Sequence, residues 1–243
     1  MKIIRKHPRL IRSVALGSFA ISLFLSSGCD DDKNPSRCKN ETPTGDTIKD
    51  IDGNVYQIVK IGDQWWMAEN LKTARYRSGE AIQNIVDELA WKNLTSGAVC
   101  GYFNNESSIE DYGRLYNWYA VTDSRGIAPA GWHVPTDEEW QTLITYLGGI
   151  TVAGSKMKEA GILHWSSPNT DATNESGFTA LPGGYRRSDN GEYIKMGQQG
   201  TFWTLTFYDD QHAYSWNLFY NKAVATQLFN VKSDGVAVRC VKD

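Results

Sequence analysis

Residues 131–140 read Gly131-Trp-His-Val-Pro-Thr-Asp-Glu-Glu-Trp140, one histidine beside three carboxylates with a tryptophan near each end. Such a cluster suits an active site, a metal site or the start of a helix, and the residues that follow it decide. Trp140, Leu143, Ile144 and Leu147 fall at i, i+3, i+4 and i+7, a single apolar face, and Gly148-Gly149 ends the run. Thr136 is then the N-cap and Glu139 the third helical residue. Together they predict a capping box, in which the threonine hydroxyl accepts the Glu139 amide and the glutamate reaches back to the Thr136 amide. Asp137 and Glu138 in the first turn complement the positive end of the helix dipole, and Pro135 keeps the preceding chain extended. The competing reading gives His133, Asp137 and Glu138 acid and base roles in a hydrolase, which needs two of them to converge on a cleft. His164 and His212 are far from His133 in sequence, and the spacing favours a hydrogen-bonded, partly buried His133 over a base or a ligand.

Outward from this helix, two further textures appear. Val55–Ile61, Gly62-Asp63 and Gln64–Ala68 predict a β-hairpin. Leu115, Trp118 and Tyr119 recur at three- and four-residue spacing within 112–121 and predict a short helix, with another over Thr151–Ala160. After Gly161 the chain turns to strands over 177–186, 201–207, 213–219, 223–229 and 236–240, with a turn at 188–192. Helices early and antiparallel strands late imply α+β.

The N-terminal end has a different character. Lys2, Arg5, Lys6, Arg9 and Arg12 precede an apolar run from Val14 to Leu25, then Ser26-Ser27-Gly28-Cys29. Residues 1–28 read as a secretory signal. The run is short of the roughly 20 residues a membrane span needs. The small residues before Cys29 resemble the lipobox of bacterial lipoproteins, although Leu25 stands four places before the cysteine where three is usual. The resemblance implies acylation at Cys29 and an outer-membrane lipoprotein exposed at the cell surface. Residues 29–50 read as an acidic flexible tether, and 51–243 as one domain. Asp30, Asp31 and Asp32 resemble the acidic tract after the acylated cysteine of some surface lipoproteins, or are solvated linker charge. The formal charge is −3, and the signal holds five basic and no acidic residues, so its removal leaves a more acidic chain. No basic stripe for nucleic acid is present.

With Cys29 assigned to lipid, Cys38, Cys100 and Cys240 remain. An exported compartment permits disulfides, and Cys38 falls in the tether, so Cys100–Cys240 is the expected pair, although spacing alone does not establish connectivity. No Cys-x-x-Cys or Cys/His zinc spacing occurs, and neither a metal nor a cofactor is expected.

The stretches Asp52–Lys72, Tyr112–Val121, Pro129–Trp140, Ser176–Arg186 and Val238–Asp243 resemble the Fibrobacter succinogenes major paralogous domain, a family of exported, often lipid-anchored bacterial proteins. The likeness spans nearly all of the chain after the tether. The helix start at 131–140, with the terminal Gly235-Val-Ala-Val-Arg-Cys240, is similar to the formylglycine-generating-enzyme branch of the C-type-lectin-like fold. That likeness implies a single loop-rich α+β domain. The catalytic members of that branch use a closely spaced cysteine pair and the related sulfoxide synthases a histidine-bound iron, and this sequence has neither.

The expected function is a non-enzymatic surface module that binds an extracellular glycan or protein. Nine tryptophans and twelve tyrosines supply flat faces able to stack on sugars. By loop context the candidates are Trp91, Trp165, Tyr185 and Trp216, each of which core packing also explains. The alternatives are the hydrolase above and a subunit of a surface assembly.

Overall fold

The first strand described, β1 (Thr47–Lys49), pairs antiparallel with β2 (Val55–Ile61), and β2 pairs with β3 (Gln64–Met67). The β2–β3 hairpin is as the sequence predicts. β1 corrects the expected boundary: it lies in the stretch assigned to the tether, so the domain begins by Thr47 and not at Ile51. This weakly apolar segment orders because β2 satisfies its backbone and the buried Asp50 carboxylate ties down the turn, accepting from the Asp52 and Asn54 amides, the Asn54 side chain and the Tyr56 hydroxyl. The computed structural model describes residues 45–92 and 94–243. The expected signal, Cys29, the Asp30–Asp32 tract and Cys38 lie outside the described residues.

The middle of the chain carries β4 (Gln83–Asn84), α1 (Glu88–Lys92), β5 (Ala98–Cys100), α2 (Glu106–Tyr112), β6 (Leu115–Tyr116), α3 (Trp118–Val121), β7 (Trp132–His133), α4 (Asp137–Tyr146) and α5 (Ile150–Met157). The last third carries β8 (Gly183–Arg186), β9 (Tyr193–Met196), β10 (Gln199–Phe207), β11 (His212–Phe219), β12 (Ala225–Val231), β13 (Val236–Ala237) and β14 (Val241–Lys242). One sheet runs β1-β2-β3-β14-β7, and the other runs β12-β11-β10-β13-β6-β5-β4 with β8 attached to β10 and β9 to β8. Most pairings are antiparallel; β10 pairs parallel with β13 and β8, and β4 with β5. Among the described residues the architecture is α+β, with five short α-helices against two sheets. Among the described residues, no helix is long and apolar enough to cross a membrane.

The single helix expected over 112–121 is divided. Gly113 sits at φ 73° with its Cα against Asn70 and the Leu71 carbonyl, where a Cβ would come within 2.6 Å of Asn70 Cβ. The helix therefore stops at Tyr112, Leu115 enters β6 between β5 and β13, and Asn117 caps a new turn by accepting from Ala120 N. α5 ends at Met157, three residues before the expected Ala160, because Lys158 turns extended and bridges to Ala180.

Trp66, Trp140, Phe178, Phe202 and Trp216 form the aromatic centre of one core cluster, with Trp66 and Trp140 ring centroids 5.0 Å apart. A second cluster gathers Tyr56, Tyr116, Trp132, Trp203 and Val236. Cys100 belongs to the first and Cys240 to the second, and both are buried free thiols. The expected Cys100–Cys240 disulfide is therefore corrected: β5 and the approach to β14 carry the two residues into different parts of the core. Burial pushes both thiols up from the usual cysteine range.

Among the described residues, three cations are buried without a carboxylate bonded to them. Lys158 Nζ donates to the carbonyls of Thr170, Phe219 and Lys222, Arg186 to those of Ile85, Val86, Asp87 and Gly191, and Arg239 to Phe178 O, Thr179 O and Asn70 Oδ1. Each one fastens loops that have little regular structure of their own.

Candidate functional site

The capping box on α4 forms as the spacing predicts. Thr136 Oγ1 accepts from Glu139 N at 3.3 Å, and Glu139 Oε2 accepts from Thr136 N at 2.8 Å. The other oxygen of Glu139 lies 2.8 Å from His133 Nε2, and His133 Nδ1 is 2.7 Å from Asp243 Oδ1. His133 is thus partly buried and hydrogen-bonded, and it links the helix cap to the C-terminal end. Burial alone would lower its pKa; the bonds to Asp243 and Glu139 outweigh burial and raise it above the ordinary histidine value.

Asp137 has a larger part than the helix dipole assigns to it. It is buried, Oδ1 accepts from Trp216 Nε1 at 3.0 Å, and Oδ2 accepts from Gln227 Nε2 at 2.7 Å and from Gln141 Nε2. Its own amide donates to Thr206 Oγ1 at 3.0 Å. Asp137 therefore joins α4 to β11 and β12 through its carboxylate and to β10 through its amide. Glu138 is exposed, as an acid answering only the helix dipole would be.

Three of the four candidate aromatic residues are core. Trp91 is 0 % exposed beneath the Arg186 guanidinium, 4.5 Å from its ring. Trp165 is 2 % exposed and donates to Ala180 O at 2.9 Å. Trp216 is 4 % exposed, stacked on Trp140 and bonded to Asp137. Loop context was a poor guide to them, because Trp91 and Trp216 stand in α1 and β11, and Trp165 turns inward from its loop. Trp91 and Trp165 are therefore corrected to packing residues. Tyr185 is half-buried and borders a cleft; Trp216 forms the floor of another.

The Tyr185 cleft, about 480 Å³, lies between the turn after β8 and the end of β12. Phe229 on its far side is 52 % exposed and stacked flat on Tyr208, 4.7 Å between centroids at 4°. His212 meets the Phe229 ring edge-on at 5.3 Å. The polar lining is held in place: Asp234 accepts from Ser188 N at 2.8 Å and from Asn230 Nδ2 at 3.1 Å, and Arg187 Nε donates to Asp189 Oδ1 at 2.8 Å. Burial, then the Asp234 carboxylate, raise the Tyr185 pKa, so the phenol stays a hydrogen-bond donor. A third cleft of about 350 Å³ holds Asp123 and Arg125, paired with each other, and Arg125 lies 3.9 Å over the Tyr76 ring.

None of these three clefts is lined by His133, Asp137, Glu138 or Glu139. Among the described residues, no group of three or more His, Cys, Asp and Glu side chains is gathered as a metal site. Sequence reasoning missed Tyr208, Phe229, Gln141 and Gln227. The i, i+4 spacing of Asp137 and Gln141 was a signal for that pair, whereas Gln227 meets Asp137 only through the β11–β12 register.

No curated protein and no solved structure matches the chain. The model of the Fibrobacter succinogenes major domain matches residues 59–242, from β2 to β14. That span holds α4 with its capping box, the first core cluster, all the buried residues of the second except Tyr56, and all three clefts, and the chain belongs to the Fibrobacter succinogenes major domain family.

Proposed function

We propose that this chain is a non-enzymatic, lipid-anchored module of the bacterial outer surface, with a C-type-lectin-like domain that recognises an extracellular glycan or protein. The observation that carries this reading is the stacked pair Tyr208 and Phe229, exposed on the molecule beside the fixed polar groups of the Tyr185 cleft. Flat aromatic surface together with pre-set donors and acceptors suits recognition, since a partner gains contact area while little side-chain entropy is lost. His133 supports the non-enzymatic side of the reading. Both its nitrogens face carboxylates, which leaves no free lone pair for a base, and it lines none of the three clefts. The double variant Tyr208→Ala/Phe229→Ala, checked for folding by circular dichroism, is expected to lose more than about tenfold in binding on glycan arrays or to cell-surface proteins. Unchanged binding on both overturns the assignment. Anchoring is tested separately: labelled palmitate enters the wild type and is absent from Cys29→Ser.

A second reading, a subunit of a surface assembly, is favoured by β12. It ends the nine-stranded sheet, carries no charged residue or proline, and exposes Leu228, Phe229 and Val231. Natural edge strands usually carry such guards against pairing. Sedimentation over a range of concentrations distinguishes the readings: an assembly subunit associates and Leu228→Lys keeps it monomeric, while a monomeric wild type excludes this use of the edge.

A further inference from the structure

α4, α5 and the start of β12 enclose a cleft of about 490 Å³ that shares no lining residue with the Tyr185 cleft. Its size falls within the range of small-molecule sites, roughly 300–1,000 Å³. Every side chain that lines it is uncharged. Ile144 and Ile150 form apolar walls, and the buried Trp216 ring is the floor, backed by Trp140 with ring centroids 6.3 Å apart and 18° between planes.

The polar groups of the cleft are set by Asp137 beneath it. A carboxylate only accepts, so Gln141 and Gln227 each turn an amide N–H toward Oδ2. Their amide oxygens are thereby left for the cleft. Trp216 spends its one donor on Oδ1. With the second N–H of each amide and the hydroxyls of Thr145 and Thr226, the lining offers uncharged donors and acceptors over an apolar bed. An anion would meet two carbonyl oxygens and no counter-charge. A cation would be desolvated beside a carboxylate already bonded to three donors, without a counter-charge of its own. The group that fits is a neutral hydroxyl, carried on a molecule with an apolar face.

A pyranose has both, with hydroxyl donors around its ring and a face of C–H bonds. We infer that the Trp216 cleft is a binding site for an uncharged sugar, with Gln141 and Gln227 accepting its hydroxyls and Ile144, Ile150 and Trp216 lying under its C–H face. This site stands whether or not the Tyr185 cleft binds a partner.

The test follows the Trp216 indole N–H by ¹H–¹⁵N NMR in the folded domain, its signal assigned by disappearance in Trp216→Phe. The probes are the methyl glycosides of glucose, galactose and mannose, with methyl glucuronide and methyl glucosaminide as charged counterparts. At least one neutral glycoside is expected to shift the signal saturably, and its charged counterpart to bind more than about tenfold more weakly. Thr145→Trp fills the cleft from the exposed face of α4 without touching the Asp137 bonds, and is expected to abolish the response. Ile150→Ser, at a residue 55 % exposed, is the second variant should the first not fold, and is expected to weaken binding. Phe229→Ala leaves the response intact. The site is overturned if no neutral glycoside moves the Trp216 signal, if charged and neutral glycosides bind equally, or if the folded cleft variant binds like the wild type.

Discussion

The indole N–H of Trp216 donates to the buried Oδ1 of Asp137 at 3.0 Å, joining β11 to the first residue of α4 across 79 positions of sequence. The stacked neighbour Trp140 is as deeply buried, but its N–H has no hydrogen-bond partner. Trp216→Phe and Trp140→Phe remove the same ring volume, and only the first deprives a buried carboxylate oxygen of a donor. A hydrogen bond to a charged group contributes roughly 1.5–3 kcal/mol. Trp216→Phe is therefore expected to be the less stable of the two by about that amount in urea unfolding, and equal losses would show that the Asp137 bond contributes little.

His133 predicts a pH dependence with a definite sign. Its bonds to Asp243 and Glu139 raise its pKa against the effect of burial, so the folded state holds a proton that the unfolded state releases. The stabilisation is complete below the unfolded value, about 6.5, and is lost as pH rises through the higher folded value. His133→Gln should accordingly cost more stability near pH 5.5 than near pH 8.5, measured by denaturant unfolding at each pH. A gap that widens toward alkaline pH would contradict the ion-pair account.

Lys158 is 0 % exposed, and its ammonium is held by three carbonyls. Lys158→Met keeps the aliphatic stem and leaves three buried acceptors without that donor, an expected loss of roughly 3 kcal/mol or more. Burial pushes the lysine down to about 8. Between that value and the ordinary 10.5 the unfolded chain binds the proton and the folded chain releases it, so this group adds stability as pH rises through the interval. The wild type should show that rise relative to Lys158→Met. A difference between the two that does not change with pH would place the lysine's proton equally in both states.

What could be read from the sequence follows the distance over which each interaction acts. The capping box of Thr136 and Glu139 and the hairpin at Gly62-Asp63 are local, and their spacing carried the information. Leu115 misled because its spacing to Trp118 and Tyr119 carries no sign of β5 and β13, whose pairing draws it into β6. Asp137 was read as a dipole residue because its partners Trp216 and Gln227 become neighbours only when β11 and β12 pair in register. The same limit applied to Cys100 and Cys240, both well buried but in separate clusters. Tyr208 and Phe229 form a surface only because the turn before β11 brings Tyr208 back onto β12. The α+β class and the helix start were thus legible, and the clefts were not.

Gly154 lets packing be tested against propensity. Inside a helix, alanine ordinarily stabilises relative to glycine by about 1 kcal/mol. In α5, however, a Cβ at Gly154 would come within 2.6 Å of Ala223 O and 2.7 Å of the Val224 carbonyl, backbone atoms at the entry to β12. Backbone cannot rotate aside as a side chain tip does, so α5 would have to move away from β12. Gly154→Ala is therefore expected to destabilise by roughly 1–3 kcal/mol, and to disturb the Trp216 cleft, which Ile150 and Val224 line from the two separated elements. Val152→Ala, on an exposed position of the same helix, serves as the control and should shift the melting temperature little. A higher melting temperature for Gly154→Ala would mean that helix propensity outweighs this close approach and that α5 can shift from β12 at little cost.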